Sequence, residues 1–234
     1  MGYLSAGDTH QRIMTVFEDL LTPQTRWVVP THTMKNPVVW LILLVVAASV
    51  VLMVKFGDAD RDQESDATSH PAVGESISMV SLVRLTGSGT NEQVSLNDLA
   101  GKVVLINVWG TWCPPCIQEL PHIANMQQQF ATRDNVVVLP ISYGMEGLVS
   151  TDEQLEELRS TTAEFLEQRG LSMTTYGDVP GETYRSLQTT LGRVNFPTNV
   201  VLDRNGVVRA VWEGYAPGME REVERLLRKV LDES

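Results

Sequence analysis

The segment from Val103 to Cys116 constrains the fold of this 234-residue chain more than any other stretch. Val103-Val104-Leu105-Ile106-Asn107-Val108-Trp109 is an apolar run rich in Val and Ile, and reads as a buried strand. Gly110 and Thr111 break it, and Cys113 then stands where a helix should begin. Pro114 and Pro115 suit the first turn of that helix, where a backbone N–H is spare and φ near about −65° is already correct. The spacing predicts that the helix continues from Ile117 towards Arg133, with a kink at Pro121.

That placement carries chemistry. A helix N-terminus offers free N–H groups and the positive end of the macrodipole, so a cysteine there is partly thiolate near neutral pH. The thiolate is the species that attacks a disulfide. A second cysteine three residues on lies one turn away, where it can resolve the mixed disulfide. Cys113 is therefore the candidate nucleophile and Cys116 the candidate resolving thiol. For an isolated C-x-x-C, a structural disulfide or half of a metal site are alternatives. The strand before the motif, the helix after it and the lack of any other cysteine favour the redox reading. A four-ligand zinc site would need two further Cys or His at short spacing, and none is nearby.

Composition narrows the rest. Two cysteines make one pair and no framework, and a hydrophobic content of 43% supports a core without staples. A formal charge of −11 argues against nucleic acid, because phosphate binding needs clustered Lys and Arg. The acid is concentrated late: from Gly57 onward there are 14 Lys and Arg against 26 Asp and Glu.

Residues 1–36 contain one helical pattern, Ile13, Val16, Phe17, Leu20 and Leu21, which Asp8 or Thr9 could cap and Thr22-Pro23 would end. It reads as a short amphipathic helix on a membrane surface or partner, or else as a weakly ordered tail. Val38 to Val54 is an unbroken run of 17 residues with Ser49 its only polar member. At about 1.5 Å per residue it spans roughly 26 Å, just short of the ~30 Å hydrocarbon core. Trp40 and Phe56 can sit at the interfaces, and Lys35 and Lys55 can snorkel outward. Ala47-Ala48-Ser49 would suit a cleaved signal peptide, but the 37 residues before the run are too long for an n-region. Residues 37–56 are thus expected to form one transmembrane helix. Arg12, Arg26 and Lys35 precede it while Lys55 and Arg61 follow, favouring a cytoplasmic N-terminus and an extracytoplasmic body.

Residues 57–70 read as an acidic linker, and residues 71–234 as the folded domain. Ile77–Leu85 and Gln93–Leu96 alternate around Gly87–Asn91 and predict a β-hairpin. Val136–Ile141 is a second buried strand, expected parallel to the first through a βαβ crossover. Thr151–Gln168 reads as a polar helix with a stripe at Leu155, Leu158, Thr162, Phe165 and Leu166. A short strand is expected at Leu171–Thr175 and a helix at Glu182–Leu191. Asn199–Asp203 and Val207–Trp212 flank the turn Arg204-Asn205-Gly206. A last helix, Met219–Leu231, turns Val223, Leu226, Leu227, Val230 and Leu231 to the sheet.

The order of these elements, the motif Trp112-Cys113-Pro114-Pro115-Cys116 and Phe196-Pro197-Thr198 before a late hairpin resemble the thioredoxin fold. The stretch Val94–Trp112 more narrowly resembles the membrane-tethered TlpA/ResA-like thiol–disulfide oxidoreductases, and the likeness spans roughly residues 71–232. It implies an α/β thioredoxin fold with an N-terminal β-hairpin extension and a central insertion between Ser142 and Arg193, preceded by the transmembrane helix. By position, Pro197 matches the family's cis-proline, whose preceding backbone is left free to pair with substrate. Glu119 matches an acid kept near the disulfide in several members, where it tunes thiol acidity or relays a proton; an ordinary solvent-facing helix acid is the alternative. Asn107 stands where thioredoxin proper has a buried Asp, so that Asp's role does not transfer. Trp112, Pro114, Pro115, Phe196 and Thr198 complete the expected substrate-contacting set.

The function implied is reduction of protein disulfides outside the cytoplasm, without any cofactor beyond the Cys113–Cys116 pair and with a membrane thiol electron donor. Cytochrome c maturation and other envelope thiol pathways use such proteins. Two alternatives stand beside it: the reverse reaction, as a disulfide donor, and a copper-binding module drawing on His70 or His122.

Overall fold

The protein is described here by a computed structural model, which covers residues 37–58, 66–89 and 91–233. The pattern at Ile13–Leu21 and most of the acidic linker lie outside the described residues. In chain order the elements are α1 (Pro37–Asp58), β1 (Ser81–Arg84), β2 (Gln93–Ser95), β3 (Val103–Trp109), α2 (Pro114–Phe130), β4 (Val136–Ser142), α3 (Asp152–Gln168), β5 (Tyr176–Gly177), α4 (Glu182–Leu191), β6 (Thr198–Leu202), β7 (Val208–Glu213) and α5 (Met219–Asp232). Two compact units divide the chain, Met1–Ala59 and Asp60–Ser234.

In the first unit α1 runs for 22 residues, about 33 Å at the usual rise. Val38 and Trp40–Val46 are each between 52% and 67% exposed among the described residues, an apolar surface along the helix. Ser49 turns its hydroxyl back onto the Val45 carbonyl at 2.7 Å, which satisfies the only polar side chain of the run inside the helix. Among the described residues no helix is long and apolar enough to cross a membrane.

The second unit is a seven-stranded mixed sheet in the order β2-β1-β5-β4-β3-β6-β7. β3 is buried at all seven positions because both of its faces are covered. Val103, Leu105 and Trp109 face the core that holds Leu120, Ile123 and Phe130 of α2 and Val223 and Leu227 of α5. Val104, Ile106 and Val108 face the opposite core with Leu139, Ile141 and Leu187. The two-residue period of a strand produces this division. β3 pairs in parallel with β4, from Val103 opposite Val136 to Trp109 opposite Ser142, as the crossover predicted. On its other side it pairs antiparallel with β6, and that register sets Asn107 directly opposite Asn199.

Three local outcomes differ from the sequence reading. α2 ends at Phe130 rather than near Arg133. Leu171–Thr175 is not a strand; only Tyr176–Gly177 pairs, with β4 and β1. The reason lies in side chains that take the place of a strand neighbour. Gln127 accepts the Thr174 N–H at 2.7 Å and donates to the Thr174 carbonyl at 3.0 Å, while Thr86 Oγ1 accepts the Thr175 N–H at 3.0 Å. Finally, packing reaches back into the stretch expected as linker. The 3₁₀ turn Asp66–Thr68 lies on β7, and Ala67 is buried in the same cluster as Trp212 and Val223.

Candidate active site

The site forms where β3 ends and α2 begins. Gly110 to Trp112 turn the chain, and Cys113 is the N-cap of α2 with an extended backbone. Pro114 and Pro115 occupy its first two positions, where missing N–H groups cost nothing. Cys113 and Cys116 form a disulfide with their Cα atoms 5.3 Å apart. The Cys116 N–H donates to Cys113 Sγ at 3.3 Å, so a spare donor of the helix start already points at the sulfur that would carry negative charge. Cys116 is wholly buried while Cys113 keeps 3% of its surface. An incoming thiol therefore meets Cys113 first.

One turn after Cys116, Glu119 is 2% exposed, which rules out an ordinary solvent-facing acid. Its Oε2 accepts from Asn107 Nδ2 at 3.0 Å, and its Oε1 accepts from Asn199 Nδ2. Asn107 also donates to Asn199 Oδ1 at 3.0 Å. The β3–β6 register explains this arrangement, since opposed residues of neighbouring strands point to the same face, here the one that α2 covers. Burial pushes the Glu119 carboxyl up, the two amide donors pull it back, and the charge of Glu220 adds a smaller upward push; the result is a pKa of about 7. A carboxyl that titrates near neutrality can both take and give a proton in the range where thiols ionise.

The second wall is the turn before β6. The Phe196–Pro197 bond is cis, in agreement with the resemblance, and Pro197 is buried. Among the described residues neither the N–H nor the C=O of Phe196 has a hydrogen-bond partner, which leaves both available to a bound chain. The Phe196 ring lies 5.0 Å from that of Trp112, which is itself 36% exposed. Pro114 is exposed and Pro115 half-buried. Thr198 lies inside the body, with its hydroxyl donating to the Asn195 carbonyl at 2.8 Å. Its side chain is fully buried.

Beside Trp112 and Phe196 lies a cavity of about 330 Å³, bordered by Met145, Leu148 and Tyr184. A larger cavity, about 610 Å³, lies elsewhere, between Gln127, Phe130, Leu166 and Met173, and touches none of the site residues. His70 and His122 do not gather at the cysteines: His70 Nδ1 accepts the Ala72 N–H at 3.1 Å, and His122 lies beside the Tyr215 ring. Among the described residues no group of three or more His, Cys, Asp or Glu could hold a metal ion.

Sequence reasoning missed Asn199, and treated Asn107 only as a substitution. The signal was present, since each is a lone amide inside an otherwise apolar strand. It also missed Asp178, 1% exposed, and Tyr143, 4% exposed, whose hydroxyl donates to Asp178 Oδ2 at 2.9 Å.

Residues 72–227 match the redoxin family. Thioredoxin-like protein YneN of Bacillus subtilis is 28% identical over 149 residues, 64% of this chain and 76% of its own. Thiol-disulfide oxidoreductase ResA of Bacillus cereus is 23% identical over 190 residues, 81% of this chain and 93% of its own. Among solved structures, one described as a thiol:disulfide interchange protein DsbE from Chlorobium tepidum superposes with a TM-score of 0.51. It is 24% identical and covers 68% of this chain and 97% of its own, which speaks to the fold alone. A family match over two thirds of the sequence, centred on a helix-capping cysteine pair, makes this chain a member of the redoxin family and a TlpA/ResA-like thiol–disulfide oxidoreductase.

Proposed function

We propose that the protein is anchored in a membrane by α1, works outside the cytoplasm, and reduces protein disulfides through Cys113 and Cys116. The observation that carries the exchange chemistry is the Cys113–Cys116 disulfide at the first turn of α2, with Cys113 the less buried residue of the pair. In the dithiol form, the Cys113 thiolate attacks one sulfur of a substrate disulfide, and the other leaves as a thiolate. Cys116 then loses its proton and attacks Cys113 Sγ. This closes the pair and releases the second substrate thiolate. Two electrons pass from the protein to the substrate, and the two departing thiolates collect the protons. Glu119, one turn from Cys116, is the group suited to take the Cys116 proton. The disulfide form described here is the product of that turnover, and a membrane dithiol must reduce it again. No further cofactor is required.

Anchoring is supported by the unbroken apolar run Val38–Val54 in the sequence, by the exposed apolar side chains of Val38 and Trp40–Val46, and by the internally bonded Ser49. Charge asymmetry across the run supports the orientation. The ResA relatives, thiol-disulfide oxidoreductases by name, support protein dithiols and disulfides as the substrate class; a setting in cytochrome c maturation or another envelope thiol pathway is part of the same proposal.

The test is the equilibrium reduction potential of the full-length protein against glutathione or dithiothreitol. A value near or below roughly −270 mV is expected; one approaching about −120 mV would make it a disulfide donor instead. Cys113→Ser should abolish exchange, and Cys116→Ser should arrest it at the mixed disulfide. For the anchor, the chain should stay with the membrane on alkaline extraction, and release into the wash would refute it.

A further inference from the structure

Tyr143 takes no part in sulfur chemistry, yet it touches both residues that flank the reacting groups. It follows β4, and its N–H donates to the Trp109 carbonyl at 2.9 Å. Its own carbonyl accepts the Trp112 indole N–H at 3.0 Å. Its ring meets Phe196 edge-on at 5.8 Å and Tyr184 at 5.6 Å. Its hydroxyl is held by Asp178, which also accepts the N–H groups of Thr183 at 3.1 Å and Tyr184 at 2.7 Å at the start of α4. Trp112 directly precedes Cys113, and Phe196 directly precedes Pro197.

Gly110 bears on the same contact. A Cβ at this position would come within 2.6 Å of Trp112 Nε1 and 2.8 Å of the Tyr143 carbonyl oxygen. Any side chain there would push apart the indole–carbonyl bond. The turn before the cysteines thus leaves room for this one interaction.

We infer that Tyr143, anchored by Asp178, is a positioning residue that sets the spacing between Trp112 and Phe196, the two rims against which a protein substrate lies on either side of its reacting cysteine. A long chain must fit both rims at once, whereas a small disulfide needs only Cys113. The inference rests on the proposed reduction of protein disulfides, and it predicts a split between large and small substrates. Packing alone would predict no such split.

The experiment compares the full-length protein with Tyr143→Phe, which removes only the hydroxyl. The probes are insulin, a protein disulfide, and 2-hydroxyethyl disulfide, too small to span the rims. Insulin reduction should fall about five-fold through KM, on the scale of one neutral hydrogen bond, with kcat retained. The rate with 2-hydroxyethyl disulfide and the reduction potential should not move. The Trp112 indole N–H should exchange with solvent faster in the variant, which reads the brace directly and without turnover. Equal loss on both probes, or none on insulin, would overturn the inference. Failure of the unsubstituted protein to reduce insulin at all would instead overturn the functional reading on which it stands.

Discussion

Glu119 and Asp178 are two carboxyl groups buried to the same degree in one body, 2% and 1% exposed, and they are held in different ways. Burial pushes both up. Asp178 meets two backbone N–H groups at the start of α4 and one phenol, and these donors oppose the push only in part, so its carboxyl stays above the ordinary aspartate range. Glu119 meets two side-chain amides and the repulsion of Glu220, and it settles at about 7. Desolvation is the largest cause for both, and what opposes it differs: backbone N–H groups and a phenol for Asp178, two side-chain amides for Glu119. One carboxylate is spent on joining α4 to Tyr143. The other is left near its midpoint, one turn from a cysteine that must lose a proton.

The largest effect that would break this contrast is on stability. Asp178→Ala leaves the Thr183 and Tyr184 N–H groups and the Tyr143 hydroxyl without their acceptor, and should cost about 3 kcal/mol in chemical unfolding. A loss under about 1 kcal/mol would mean that Asp178 is not the structural member of the pair. Next comes the pH dependence of Glu119. Its folded pKa lies above the ordinary glutamate value of 4.5, so the native state holds this proton more tightly than the unfolded chain. That contribution is complete below about 4.5 and is lost as pH rises through about 7, on the order of 3 kcal/mol in all. Glu119→Gln cannot titrate, so the stability difference between the variant and the unsubstituted protein should shift in the variant's favour across that window. A flat difference would place the Glu119 pKa elsewhere.

The smallest effect sharpens the contrast further. Asn199→Ala removes a donor that favours the charged form, so Glu119 should titrate about one unit higher in a carboxyl NMR titration. An unchanged or lower value would show that the amide is not what restrains it.

Much of this was legible before any coordinates. The Val-rich run, its break at Gly110 and the prolines after Cys113 located β3, the turn and α2, because each signal is local and periodic. The bounds of α4 and the hairpin around Arg204-Asn205-Gly206 follow the same logic. Leu171–Thr175 failed for a reason no window of sequence contains. Its backbone groups are claimed by Gln127, 47 residues earlier, and by Thr86, 89 residues earlier. Asn107 and Asn199 are 92 residues apart, and each alone is only an oddity in an apolar strand.

By itself, then, the sequence determined the redox pair, its place at a helix start, the order of strands and helices, and an apolar run long enough to invite an anchor. Those depend on backbone propensities and periodic burial, which act over a few residues. Only the tertiary structure decided that Glu119 is buried, that Asn107 and Asn199 hold it, and that Tyr143, its hydroxyl held by Asp178, touches both Trp112 and Phe196. Those are cross-strand and cross-helix meetings set by sheet register. Their energetics depend on the removal of water from groups that local sequence leaves exposed.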